Sequence, residues 1–298
     1  MSFQSVEEYL CDLDRVIAWA RQHGVDIHRG RVAAYRATLE HATRRASDVA
    51  DESPTHADLF AAISETWGLT YIMGLPDAVL SGHRGKLKLL ADGHDFYSDI
   101  APHEPDQGRD ALFELVTASL FHRAGAKVAL EAPADVDVAL GGVRMMIECK
   151  RPKVDGRFAT NITEAFRQLR KHRASGHSGA ALVGIDLTRL VNPGAGIMMG
   201  MNEDEAVRKV DAAIQATLKR CSDSLAHEAT FEIDRSAMVD GLLMRVVCMI
   251  YDDATDRPKV CQLWRLSPFV AMDSDRFRTL EAVVSRLPTF ASGVLHYS

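Results

Sequence analysis

The sequence predicts an α/β protein: a mixed central sheet flanked by helices, preceded by an all-helical N-terminal part. Three observations lead there. Over residues 1 to about 100, apolar residues recur at helical spacing, with Tyr9, Leu10, Leu13, Ile17 and Ala20 forming one series and Val32, Tyr35, Leu39 and Ala42 another. Past residue 105 the pattern changes to short β-rich runs mixed with helical stretches, the order that builds layered α/β folds. Between the two, Ala101-Pro102-His103-Glu104-Pro105-Asp106 carries two prolines and no periodicity, so it reads as a linker. The expected division is a helical domain over 1–104 and an α/β domain over 105–298.

Each element has its own signal. Asp51-Glu52-Ser53-Pro54 breaks the chain before a helix over 57–67, with Ser53 or Thr55 as its cap. Gly74-Leu75-Pro76 and Ser81-Gly82-His83-Arg84-Gly85 read as loop. A helix over 109–124 gathers Leu112, Leu115, Val116, Ser119 and Leu120 on one face and closes at Gly125. A strand over 127–131 follows, then two β-runs, 135–140 and 143–150, separated by Gly141-Gly142. Paired glycines supply the positive φ that a two-residue hairpin turn requires. Arg151-Pro152 ends the second run. The remainder reads as a helix over 161–173, a strand over 180–187 and a helix over 203–226. Strands over 242–251 and 259–266 and a helix over 274–286 complete it. Met198, Met199 and Met201 read as loop or core filler, and Trp67 and Trp264 as core.

Composition narrows the classes. With 298 residues, 47% of them hydrophobic and 26% charged, the chain can bury a core without disulfide or metal staples. No run approaches the ~18 apolar residues of a membrane helix, and MSFQSVEEYL lacks the basic and apolar regions of a signal peptide. The expected setting is cytoplasmic, with no membrane partner. The five cysteines are scattered and form no C-x-x-C pair, so they read as reduced thiols. None of the twelve histidines falls at zinc-ligand spacing. A net charge of -6 argues against coating nucleic acid by bulk attraction. Its distribution says more: residues 1–107 hold 10 Lys/Arg against 17 Asp/Glu, whereas 141–175 hold nine against three. Within that basic stretch Arg151, Lys153, Arg167, Arg170 and Lys171 form a candidate phosphate-facing patch. A solvated helix face would give the same charge pattern.

The hairpin carries the chemistry. With Gly141-Gly142 as the turn, Val136 faces Ile147, Asp137 faces Met146, and Asp135 then faces Glu148. Opposed residues lie ~5 Å apart at Cβ, and Lys150, two beyond Glu148, shares its face. Two carboxylates at that distance repel by ~3 kcal/mol at an effective dielectric of ~20. A divalent cation reverses the sign, since Mg²⁺ is held by one or two carboxylates together with water and phosphate. Lys150 beside such an ion could activate a bound water or hold a scissile phosphate.

This arrangement resembles the PD-(D/E)xK nuclease superfamily, the restriction-endonuclease-like fold, whose signature is an acid heading one strand and an acid-x-Lys on the next. Here these are Pro133-Ala134-Asp135 and Glu148-Cys149-Lys150, with Ala134 interrupting the strict Pro-Asp pair. The spacing is similar to that of archaeal Holliday-junction resolvases: Glu114 precedes Gly125 by eleven residues, and Asp135 precedes Glu148 by thirteen. The resemblance spans about residues 108–190. It implies a Mg²⁺-dependent endonuclease, with Mn²⁺ able to substitute, acting on nucleic acid and first of all on DNA, in restriction, repair or defence against invading DNA. It also implies Glu114, Asp135 and Glu148 as metal ligands, Lys150 as the residue that activates water, and Gln168 on the next helix as a further polar site residue. Gln168 would steady the phosphate together with Arg151, Arg167 and Arg170. Asp137 is the alternative ligand if the register is shifted by two.

Two other readings compete. A catalytically idle member of the same fold would bind nucleic acid or assemble with partners without needing a metal. A nucleotidyltransferase would use Asp135-Val136-Asp137 as its Asp-x-Asp pair, but the Gly-Ser turn and helix expected before that pair are absent. The acidic helical domain is a poor duplex contact and offers a surface for a homodimer or a partner protein.

Overall fold

Ser5 and Thr55 each start a helix. The computed structural model describes residues 5–44, 55–96, 104–131, 133–194, 196–200, 202–226, 239–252, 257–270, 274–287 and 293–294. In it the Ser5 and Thr55 hydroxyls accept from the backbone N–H groups of Glu8 (3.2 Å) and Asp58 (3.1 Å). Those carboxylates accept in turn from the caps' own N–H groups. Two donors that a helix start leaves orphaned are thereby satisfied at each end. The helices are α1 (Val6–Gln22), α2 (Gly30–Arg44) and α3 (His56–Ile72), and they pack against one another. Tyr9, Leu13, Val16, Ile17 and Ala20 form the buried stripe of α1, as their spacing predicts. The Asp51–Pro54 break lies outside the described residues.

Gly74-Leu75-Pro76 is loop as expected, whereas Ser81, Arg84 and Gly85 of the second expected loop are helical. Residues 74–89 contain two short helices, α4 (Asp77–Ser81) and α5 (Arg84–Leu89), which bury Leu80 and Leu87. Only the end of the expected linker is described, and it is anchored. Asp106 is 1% exposed and pairs with Arg109 on α6 (Gln107–Arg123), and Arg109 also donates to Glu65 (3.0 Å) and to the Tyr35 hydroxyl (2.6 Å). Arg31 donates to the other oxygen of Glu65 at 2.8 Å. Buried charges persist only when paired in this way.

A mixed eight-stranded sheet follows, in the order β1-β2-β3-β4-β6-β7-β8, with β5 also pairing β6. Its strands are β1 (Lys127–Leu130), β2 (Val136–Leu140), β3 (Val143–Lys150), β4 (Ala180–Asp186), β5 (Ile197–Gly200), β6 (Gly241–Asp252), β7 (Arg257–Pro268) and β8 (Gly293–Val294). β1, β2 and β3 are antiparallel neighbours, whereas β3–β4, β4–β6, β5–β6 and β7–β8 are parallel. The helices of this part are α7 (Asp155–Ala174), α8 (Thr188–Val191), α9 (Glu203–Ala226) and α10 (Asp275–Val284). α7 packs on β3 and β4. It starts six residues before the expected 161, and the dipeptide Met198-Met199, expected as loop or core filler, lies in β5 with Met199 52% exposed. Met201 lies outside the described residues.

The chain forms two compact units. One comprises Met1–Val116, Asn192–Ala206 and Cys248–Cys261, the other Thr117–Val191, Val207–Val247 and Gln262–Ser298. None of the five cysteines forms a disulfide, Cys11 being exposed and the other four buried. Among the described residues no helix is long and apolar enough to cross a membrane.

Candidate active site

The β2–β3 hairpin has the predicted register, from Leu140 opposite Val143 to Val136 opposite Ile147. Gly141 and Gly142 adopt φ of 61° and 84°, both positive as the two-residue turn demands. The ladder stops at Val136, one residue short of Asp135. Ahead of it Glu131 takes a left-handed φ of 60° and its N–H donates to the Asp135 carbonyl at 3.2 Å. The Asp135 side chain then reaches across to β3, where Oδ2 accepts from the backbone N–H of Cys149 at 2.8 Å. Asp135 is thus fastened to the strand between Glu148 and Lys150, rather than standing opposite Glu148 as a ladder partner.

Glu148 is 2% exposed. Its Oε2 lies 3.7 Å from the Lys150 Nζ and its Oε1 3.2 Å from the His172 Nε2. Strand alternation places Lys150 on the Glu148 face. α7 supplies His172 because Phe158, Ile162, Ala165, Phe166 and Leu169 bury one side of the helix and fix its rotation. With Glu148 ionised its carboxylate can only accept, and the His172 Nε2 would then carry the hydrogen of that contact. Burial of the ring, with His177 and Lys171 nearby, holds His172 below its ordinary value, against the opposing pull of the Asp135 carboxylate. One helical turn earlier on α7, the Gln168 Oε1 is buried and has no hydrogen-bond partner among the described residues.

The remaining candidates divide. Asp137 is paired with Arg144 at 2.9 Å. Glu114 lies in the first unit, on α6, in an ion pair with Lys86. Among the described residues no group of three or more His, Cys, Asp or Glu side chains that could hold a metal ion is found. Arg151 does not face outward with the basic patch. Its side chain is 8% exposed and pairs with Asp186 at 3.3 Å, an acid that also binds Arg245 at 3.0 Å. Thirty-five residues of chain separate Arg151 from that partner, which is why local charge counting missed it. Lys153 is half-buried, while Arg167, Arg170 and Lys171 are exposed on α7. His172 is the site residue that motif reading passed over. Its signal is the four-residue step from Gln168, which places both on one side of a helix.

The site therefore offers two carboxylates able to hold a hard cation, an ammonium and a neutral imidazole against one of them, and a free amide oxygen. In comparisons with known proteins, no family model, no curated protein and no solved structure matches the chain.

Proposed function

We propose that the chain is a metal-dependent nuclease that hydrolyses phosphodiester bonds, with DNA as its substrate. The observation that carries this reading is the bond from the Cys149 N–H to Asp135, which fixes one carboxylate beside Glu148 and Lys150. It is the residue set on which the resemblance to PD-(D/E)xK nucleases rests. Asp135 and Glu148 would hold Mg²⁺ or Mn²⁺, ions that keep several waters and need only one or two protein carboxylates. When bound, such an ion polarises the phosphate and lowers the pKa of a coordinated water. Lys150 orients the attacking water or the scissile phosphate, His172 holds the Glu148 carboxylate in place, and the Gln168 amide binds water or phosphate. Arg167, Arg170 and Lys171 neutralise the neighbouring backbone.

The test is cleavage of supercoiled plasmid and of labelled single-stranded DNA in Mg²⁺, Mn²⁺ or EDTA. The wild type is expected to cut only with metal, and Lys150→Ala and Asp135→Ala to lose at least about 10²-fold, the scale on which general acid–base groups contribute. Manganese titration by calorimetry should weaken in Glu148→Gln. Full activity in both alanine variants would sink the assignment.

The Lys86–Glu114 ion pair favours a second reading, because it occupies the carboxylate that would complete the ligand set. On that reading the chain is an idle nucleic-acid-binding module. It would bind DNA equally well in EDTA and never cut it.

A further inference from the structure

The second unit carries a groove at the far end of β3 from Glu148. Two adjoining clefts of about 350 Å³ each lie between the β2–β3 turn and α10, and they share Val143, Asp275 and Thr279. Glycines line part of it: Gly141 and Gly142 at the turn, and Gly179 ahead of β4. Four arginines, Arg144, Arg276, Arg278 and Arg286, surround this backbone, Arg144 being paired with Asp137. Arg276 pairs with the fully buried Asp240, which also accepts from Arg173 at 3.1 Å, so two guanidiniums share one carboxylate. Arg286 lies over the turn, its Nη1 3.1 Å from where a Gly141 Cβ would be, and no carboxylate among the described residues pairs with it. Asp275 is the one exposed acid lining the clefts, 97% accessible and 3.5 Å from Arg278. The balance is an excess of positive charge over bare main chain, which suits a phosphate-bearing chain more than a carboxylate side chain.

We infer that this groove is a second contact for the nucleic-acid backbone, which approaches the active site along the last turn of α7. That turn joins the two places directly: His172 touches Glu148, and the next residue, Arg173, touches Asp240 in the groove wall. Arg144 and Glu148 are four residues apart on β3, ~13 Å at strand rise. At 3.4 Å per nucleotide of one strand, that is a run of ~4 nucleotides. A mononucleotide cannot span both, so the groove selects a polymer. The inference rests on the proposed nuclease reading for the identity of that polymer.

The test measures binding of the full-length protein to a labelled 20-base-pair DNA duplex by fluorescence anisotropy, in EDTA so that no cutting occurs, across a salt series. Arg278→Glu with Arg286→Glu should weaken binding about fivefold or more. It should also flatten the slope of log K against log salt by ~1.8, the share of two phosphate contacts. Asp275→Asn should act in the opposite direction, tightening binding. Opposite responses support the groove, since structural damage would weaken both variants alike. Unchanged or parallel responses, or a wild type that does not bind the duplex, overturn it. The nuclease reading is judged separately, by metal-dependent cutting and its loss in Lys150→Ala. A wild type that cuts, with groove variants that bind normally, leaves the nuclease and removes the groove. Groove-dependent binding with no cutting does the reverse.

Discussion

Asp186 shows how a single side chain fixes the end of β3. Burial alone would raise its carboxyl, but Arg245, then Arg151, then hydrogen bonds from Thr188 outweigh that and leave it below the usual range. The unfolded chain therefore takes up this proton at higher pH than the folded one. The stabilisation from Asp186 is complete above the ordinary Asp value of ~3.9 and is lost as pH falls through the lower folded value. Asp186→Ala would leave two buried guanidiniums without their shared acid, a loss of about 3–5 kcal/mol. Urea unfolding at neutral pH measures it, and a loss under 1 kcal/mol would show that the pair is solvated. At this scale the sequence was informative about the shared face of Glu148 and Lys150, because a two-residue turn and strand alternation are local rules. It set Asp135 opposite Glu148, whereas the Asp135 carboxylate accepts from the Cys149 N–H. It was uninformative about Arg151, whose fate depends on Asp186 and Arg245, and about Glu114, whose ion pair with Lys86 crosses 28 residues.

Among the elements, the hairpin was legible to the residue because glycine chemistry leaves its turn one register. α4, α5 and α8 were not, since helices of four to six residues have too few turns for periodicity to register. The start of α7 was hidden by Gly156, a poor helix former within its first turn. Gly179 carries a separate constraint, with φ of +129° and the Arg144 carbonyl oxygen 2.5 Å from where a Cβ would stand. Backbone blocks that Cβ, so no rotamer change relieves it. Gly179→Ala is expected to destabilise by about 1–3 kcal/mol, more than Gly142→Ala, whose Cβ would meet nothing within 4 Å. Thermal melts of the two variants compare them directly, and equal losses would contradict the close approach.

For the whole molecule, the residues of the candidate site are near neighbours in the chain while the sheet that houses them is not. The bonds Cys149–Asp135 and His172–Glu148 close loops of 14 and 24 residues, whereas Ala181 meets Asp240 only after 59. Loop entropy grows with the logarithm of length, so joining β4 to β6 costs about 1 kcal/mol more than fastening Asp135 to β3. Refolding followed by pulsed hydrogen exchange should protect the amides of 136–149 before those of 242–246; the reverse order would mean that β6 nucleates the sheet. Hairpins form in ~1–10 μs, while synthesising the last ~100 residues takes about 5–20 s at ribosomal rates. During translation, Asp137 on β2 and Glu148 on β3 accordingly reach Arg144 and Lys150 seconds before β6 and β7 exist.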